Sequence, residues 1–246
     1  MEHSFIDKYC KSDGPIYRLD PRVKIICAIA YILSVVLTPP TAISQFALFL
    51  VIVLVTILLS QVPLGYVLRR SLVIFPFVLM VVVFIPFLKK GEAGGSYGGL
   101  WVVWNVIVKS WLSVLAMILL GSTTDFQLLL KGLEKLHIPK IFLMTLAFMY
   151  RYIFIIVDEA MRMERAHRSR YFGGQILRQI HIIGNIIGLL FIRAYERGER
   201  IYQSMCARGF DGEIKTLSQL KFKQQDIVYT SLFLAAIVLI KIIKLV

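Results

Sequence analysis

The feature that most restricts this chain is a succession of apolar runs, each close to the length that crosses a lipid bilayer. A helix needs roughly 20 predominantly apolar residues, range about 17–25, to traverse a hydrocarbon core about 30 Å thick. Five stretches come near that length: 23–37, 42–59, 72–88, 100–120 and 227–245. Backbone N–H and C=O groups find no water inside a bilayer, so runs of this kind fold as helices, and the expected class is an all-α membrane protein with about five transmembrane helices. Hydrophobic residues make up 58% of the 246 and the mean hydropathy is +0.74, more apolar material than one soluble core of this length hides. The first run is the shortest. It ends at Pro39-Pro40 without a small-residue cleavage site, so it reads as an uncleaved helix. Pro76 and Pro86 fall in the third run, where they can kink a helix.

The formal net charge of +13 would suggest nucleic acid in a soluble protein. Here the cations gather between apolar runs, so they report topology, and no nucleic-acid partner is expected. Lys8, Lys11, Arg18, Arg22 and Lys24 precede the first run, and the 38–45 loop has no positive charge, which places the N-terminus in the cytoplasm. Arg69 and Arg70 then fall inside, Lys89 and Lys90 fall outside against the rule, and Lys131, Lys135 and Lys140 return inside. Two more apolar stretches, 141–157 and 176–191, are broken by polar residues. A crossing at 141–157 would put Arg162, Arg165, Arg168 and Arg170 outside, so both stretches are kept cytoplasmic. The expected organisation is membrane helices over 1–120, cytoplasmic helices over 121–225 and a last membrane helix over 226–246. A cytoplasmic segment this apolar must cover its apolar face with the membrane surface, the spans or a partner's groove.

That segment contains a repeat. Laying 158–174 over 196–212 matches acid with acid, Arg162 with Arg200, Arg170 with Arg208, Phe172 with Phe210 and Gly174 with Gly212. Each copy reads as a helix closed by a small residue, an Arg, an aromatic and glycine: Ser169-Arg170-Tyr171-Phe172-Gly173-Gly174 and Ala207-Arg208-Gly209-Phe210-Asp211-Gly212. Glycine just past the last periodic residue is a helix stop. An Arg beside a small residue presents five donors in a fixed fork with little bulk around it, which suits a carboxylate or the open carbonyls of a helix end. Two copies suit a partner that presents the same groove twice. Cytoplasmic location or anionic lipid would also gather basic residues here; it is the matched placement that singles out Arg170 and Arg208.

Other chemistry finds little footing. Cys10, Cys27 and Cys206 are scattered without metal-ligand or disulfide spacing. His3, His137, His167 and His181 lie outside the five spans and are not spaced as a ligand set, so no metal site is expected. Asp158, Glu159, Glu164 and Glu199 alternate with Arg at helix-neighbour spacing and read as intrahelical partners, Asp158 with Arg162 and Glu196 with Arg200 for example, rather than as a catalytic pair. No GxxxxGK[ST] string is present to cradle ATP. Lys109 is the one charge well inside a span; an intramembrane charge is a functional candidate by default, but a lysine can also snorkel or face a polar seam with Asn105, Ser110 and Ser113, and interhelical packing is the favoured alternative. An intramembrane enzyme would need polar or metal-ligating residues facing each other at membrane depth. A self-sufficient channel or secondary transporter would need its repeat in the spans.

Nearly the whole chain resembles a known family, the T component of energy-coupling-factor transporters, and most closely its cobalt-transport CbiQ branch. The resemblance is carried by Phe5-Ile6-Asp7-Lys8-Tyr9, by Leu19-Asp20-Pro21-Arg22-Val23-Lys24, by Thr145-Leu146-Ala147-Phe148-Met149-Tyr150-Arg151-Tyr152 and by the two repeat ends. Asp20, Pro21, Arg22 and Lys24 form the family's N-terminal motif. The repeat ends are similar to the family's paired Ala-Arg-Gly signatures, intact at Ala207-Arg208-Gly209 and altered at Ser169-Arg170-Tyr171. The resemblance implies a non-catalytic subunit in a bacterial cytoplasmic membrane that binds no cofactor. ATP would be used by two ATP-binding cassette ATPase subunits, docked at those six residues with Arg162, Arg200, Phe172 and Phe210 in support. A separate substrate-binding membrane subunit would carry cobalt, with nickel or a vitamin as alternatives, and cobalamin biosynthesis would be the process supplied. An unequal pair of docking sites would trace to Tyr171.

Overall fold

The computed structural model describes residues 14, 16–17, 19–40, 42–72, 76, 78–80, 99–136, 138–170, 176–212 and 224–242. It is helical, with no strand among the described residues, in keeping with an all-α membrane protein. In chain order the helices are α1 (Pro21–Val36), α2 (Ile43–Ser60), α3 (Leu64–Leu72), α4 (Gly99–Thr123), α5 (Phe126–Lys135), α6 (Lys140–Ser169), α7 (Ile176–Cys206) and α8 (Gln224–Ile242). Contacts divide the chain into a first unit, Met1–Leu136 with Gln219–Val246, and a second, His137–Ser218.

Among the described residues, four helices are long and apolar enough to cross a bilayer: α2, α4 from Val103, α6 and α8. Three of them coincide with expected spans. The fourth, α6, contains 141–157, which charge placement assigned to the cytoplasm; length and composition alone would let it cross. The 23–37 run forms α1, whose 16 residues extend about 24 Å, short of a full crossing. The 72–88 run lies largely outside the described residues.

The first unit is held by reciprocal closure of helix ends. Asp20 is the N-cap of α1, its Oδ1 accepting from the Arg22 N–H at 2.9 Å, and Pro21 occupies the first helical position, where a missing N–H costs nothing. Lys24, one turn on and buried, reaches across to α4 and donates to the Thr123 carbonyl at 2.8 Å, and also to the Tyr17 carbonyl at 3.3 Å. Thr123 is the last residue of α4, where carbonyls lack intrahelical partners and the helix dipole favours a cation. At the other end of the pair, Lys109 of α4 donates to the carbonyl of Val36, the last residue of α1, at 2.9 Å. These two lysines fix α1 and α4 antiparallel, and they give Lys109 a structural task, as its packing alternative required.

The remaining helices are tied in the same way. Gln45 at the start of α2 donates to the Ile240 carbonyl near the end of α8 at 3.0 Å. Tyr31 of α1 donates to the Phe49 carbonyl at 3.1 Å, with the two rings edge to face at 5.6 Å. Between these ties lies the apolar core, where Tyr31, Val35, Phe49, Val53, Leu112 and Ile237 are buried. The starts of α1 and α8 and the end of α4 therefore share one end of this unit, and α5 packs there as well. Its apolar residues Phe126, Leu129, Leu130 and Leu133 recur at helical spacing on one face, and Gly132 lets it approach α1 closely.

Lys24→Met keeps the stem but leaves the Thr123 carbonyl without its ammonium donor. The first unit should lose about 1–3 kcal/mol, read as a lower Tm in detergent; an unchanged Tm would contradict the closure described here.

Candidate functional site

The second unit has a different construction. α6 and α7 pack on each other, and Leu143 is the one buried residue among those described in this unit. Large apolar side chains face outward along both helices: Ile141 is 70% exposed, Phe142 65%, Ile187 61% and Phe191 72%. So large an uncovered surface marks a site of contact with lipid or protein.

Ion pairs set the register of the two helices. Glu159 of α6 accepts from Arg162 on its own helix at 2.6 Å and from Arg193 on α7. Farther along α6, Arg168 pairs with Glu164 at 2.5 Å, and on α7 Arg200 pairs with Glu196 at 3.7 Å, the spacing expected. The hydrogen bonds from Arg162 and Arg193 hold the Glu159 carboxyl below the usual carboxylate range, and Glu159 lies beyond the apolar stretch that ends at Val157. Sequence spacing paired Arg162 with Asp158, four residues back; the structure puts Arg162 on Glu159, three back, and the bridge to Arg193 adds a tie across the pair that only the packing of α7 supplies.

The two repeat ends are the candidate site. α7 ends at Cys206, after which the Gly209 N–H donates to the Cys206 carbonyl at 3.0 Å and the Phe210 N–H to the Met205 carbonyl at 3.1 Å. Gly209 has a φ of +77°. This pair of hydrogen bonds with a left-handed residue is the Schellman closure of a helix C-terminus, and it explains glycine at this position, since a Cβ would meet the following carbonyl. Arg208 is thereby the last residue before the reversal, exposed, with small Ala207 on one side and Gly209 on the other. In the other copy, Ser169 ends α6 and its Oγ donates to the Arg165 carbonyl at 2.9 Å. Arg170 follows as an exposed cap residue, its N–H on the His167 carbonyl at 3.0 Å. Tyr171, Phe172, Gly173 and Gly174 lie outside the described residues. Arg162 and Arg200 occupy equivalent turns of the two helices, each on an acid of its own helix, and Phe210 is half-buried.

With this geometry in view, residues 13–220 match the family described as cobalt transport protein, CbiQ. The chain belongs to the CbiQ family. An energy-coupling factor transporter transmembrane protein, EcfT, of Staphylococcus aureus is 24% identical, across 97% of this chain and 96% of that one. An uncharacterized protein of Methanocaldococcus jannaschii is 26% identical, across 93% and 82%. A putative fused cobalt transport protein, CbiMQ, of Methanocorpusculum labreanum is 30% identical over 107 residues, 44% of this chain and 18% of that protein. The relatives with assigned names are transporter components, and this chain is a membrane transport component of the energy-coupling-factor type.

The other residues singled out by sequence fall elsewhere. Asp20, Pro21, Arg22 and Lys24 belong to the first unit, where they start α1 and close α4, and the structure brings them together with a residue the sequence did not flag. Asp226, in the first turn of α8, is 1% exposed and its Oδ1 accepts from the Asp20 N–H at 3.0 Å. The available signal was an acid at the edge of an apolar run, where burial demands a donor. No cluster of three His, Cys, Asp or Glu that could hold a metal ion occurs among the described residues.

Two outcomes follow from these ends. Gly209→Ala forces a Cβ into left-handed backbone at a cost of about 1–2 kcal/mol, so amides 207–210 should exchange faster with solvent, while Gly209→Asn, which tolerates that conformation, should stay closer to the parent. For Glu159, whose carboxyl is depressed in the folded state, the bridge contributes fully above the ordinary value of 4.5 and is lost as the pH falls through the lower folded-state value. Spin labels at Arg165→Cys and Gly198→Cys should keep one sharp distance from pH 7 to pH 5 and broaden below; a distribution already broad at pH 7 would contradict the bridge.

Proposed function

We propose that this chain is the transmembrane coupling subunit of an ATP-driven energy-coupling-factor importer for cobalt ions, transmitting the motion of two ATP-binding cassette ATPase subunits to a separate substrate-binding membrane subunit. The observation that carries it is the matched pair of helix ends. Arg170 and Arg208 each stand exposed at a helix C-terminus, and one of them is held there by a glycine turn. A cation favours a helix C-terminus, so neither Arg is repelled from its place, and both remain free to fork onto an acidic groove or the end of a partner helix. Two such ends, at Ser169-Arg170-Tyr171 and Ala207-Arg208-Gly209, match two copies of one groove.

The chain itself needs no cofactor for this role, because ATP is bound and spent by the partners. Closure and opening of the ATPase pair would move both Arg ends. α6 and α7, joined through Glu159 and Arg193, would carry the motion as one body, and their uncovered apolar faces fit a hydrophobic membrane partner. Cobalt is favoured by the family's description and by the fused CbiMQ relative.

The orientation follows from charge. Arg69 and Arg70 are exposed on the helix that follows α2, and Lys131 and Lys135 belong to α5, which packs at the end of the first unit where α1 starts. By the positive-inside rule that end faces the cytoplasm, with the N-terminus, in the inner membrane of a bacterial cell. The same rule keeps 141–157 out of the bilayer despite its length, since Arg162, Arg165, Arg168 and Arg170 follow it. Cytoplasmic helices over 121–225 between membrane helices over 1–120 and 226–246 are the organisation this reading adopts.

Arg208→Glu should bring cobalt uptake to background while the protein remains in the membrane fraction, and Arg170→Glu should act likewise. Parental uptake by either variant, at equal membrane levels, would refute the assignment.

A further inference from the structure

The chain passes between its two units twice, after Leu136 and before Gln219. The last helix of the first unit before the outward passage is α5, and the first described helix after the return is α8. Both bear on the same turn of α1. A Cβ placed on Gly132 of α5 would lie 2.9 Å from Ile25 Cδ1 and 3.4 Å from both the carbonyl carbon and the Cβ of Pro21. Asp226, at the start of α8, holds the Asp20 N–H at 3.0 Å. The turn they meet is itself stiff. Proline fixes φ at residue 21, Asp20 caps the helix through the Arg22 N–H at 2.9 Å, and Lys24 locks the following turn to the end of α4 at 2.8 Å.

We propose that the Asp20-Pro21 turn is the anchor on which both connections of the second unit bear, with Gly132 and Asp226 as the positioning residues that seat α5 and α8 on it. This rests on the coupling reading given above. A displacement of α6 and α7 reaches the first unit only through the chain at 136 and 219 or through a surface contact. At both chain crossings the neighbouring helix is seated on one rigid point rather than on two independent ones. From that point Lys24 passes the load to α4. Spreading a push over α1, α4 and α8 together moves the spans as a block, which is the motion needed to reorient a neighbouring subunit. The buried Asp226 carboxylate and the glycine of α5 thus acquire a common purpose that their own helices do not require.

The test uses the complete transporter in liposomes, comparing Asp226→Leu, Asp226→Asn and Arg208→Glu for cobalt uptake and ATP hydrolysis. Asp226→Leu removes the acceptor for the Asp20 N–H. It should hydrolyse ATP at near the parental rate while uptake per ATP falls about tenfold, within the roughly 5–150-fold range of a lost coupling interaction. Asp226→Asn, which still offers Oδ1, should recover most of the uptake. Parental uptake per ATP in Asp226→Leu would overturn the anchor, and so would a loss of hydrolysis in step with uptake. Gly132→Ala covers the case in which Asp226→Leu fails to accumulate. Its added Cβ would lie 2.9 Å from Ile25 Cδ1 and unseat α5, so uptake per ATP should fall several-fold while hydrolysis stays near the parental rate. Parental uptake per ATP in that variant would overturn the anchor. Arg208→Glu separates the two claims: if it transports normally the coupling reading fails and takes the anchor with it, while arrested transport in Arg208→Glu beside parental Asp226→Leu overturns the anchor alone.

Discussion

Where water is scarce, the unpaired carbonyls and amides at the ends of a helix must be met by the protein itself, and in this chain those caps double as the ties between helices. Lys24 of α1 closes α4, Lys109 of α4 closes α1, and Gln45 of α2 reaches the end of α8. Lipid tails are as apolar as leucine, so burying apolar surface does little to choose one helix arrangement over another inside a bilayer. Reciprocal caps do choose. Each bond sets both a neighbour and a level along the axis, and the buried core of Tyr31, Val35, Phe49 and Leu112 fills in around that frame.

The second unit solves the same problem at its helix ends in the opposite way. α7 is closed by its own chain through Gly209 and Phe210, so no lysine from a neighbour is consumed, and Arg208 is left on the outside. Ion pairs such as Glu164 with Arg168 hold many of the remaining charges along the helices, while the apolar residues are left open. Such exposed ion pairs contribute little stability, and with one buried described residue this unit has little core of its own. Its shape therefore depends on length, helix propensity and what it meets. That construction suits the part proposed above to be gripped and moved by the ATPase subunits.

Much of this was legible in the sequence where a local pattern carries the physics. The runs at 42–59 and 100–120 became α2 and α4 because bilayer length leaves few alternatives, and the repeat at 158–212 was visible because a helix stop needs glycine at a fixed offset. Non-local pairings left no such mark. Asp20 and Asp226 are 206 positions apart, Arg193 meets Glu159 only because α7 packs on α6, and Gly132 has no local motif to declare its closeness to Pro21.

The central claim is that the two Arg-bearing ends each engage one ATPase subunit. A photoreactive benzoylphenylalanine placed at position 169 or at position 207, each next to its Arg and each exposed, tests it in the assembled transporter without removing either Arg. Each position alone should capture one ATPase subunit, and the two together should capture two subunits on one chain. Adducts with lipid or with the membrane partner alone, or capture from only one of the two positions, would contradict it.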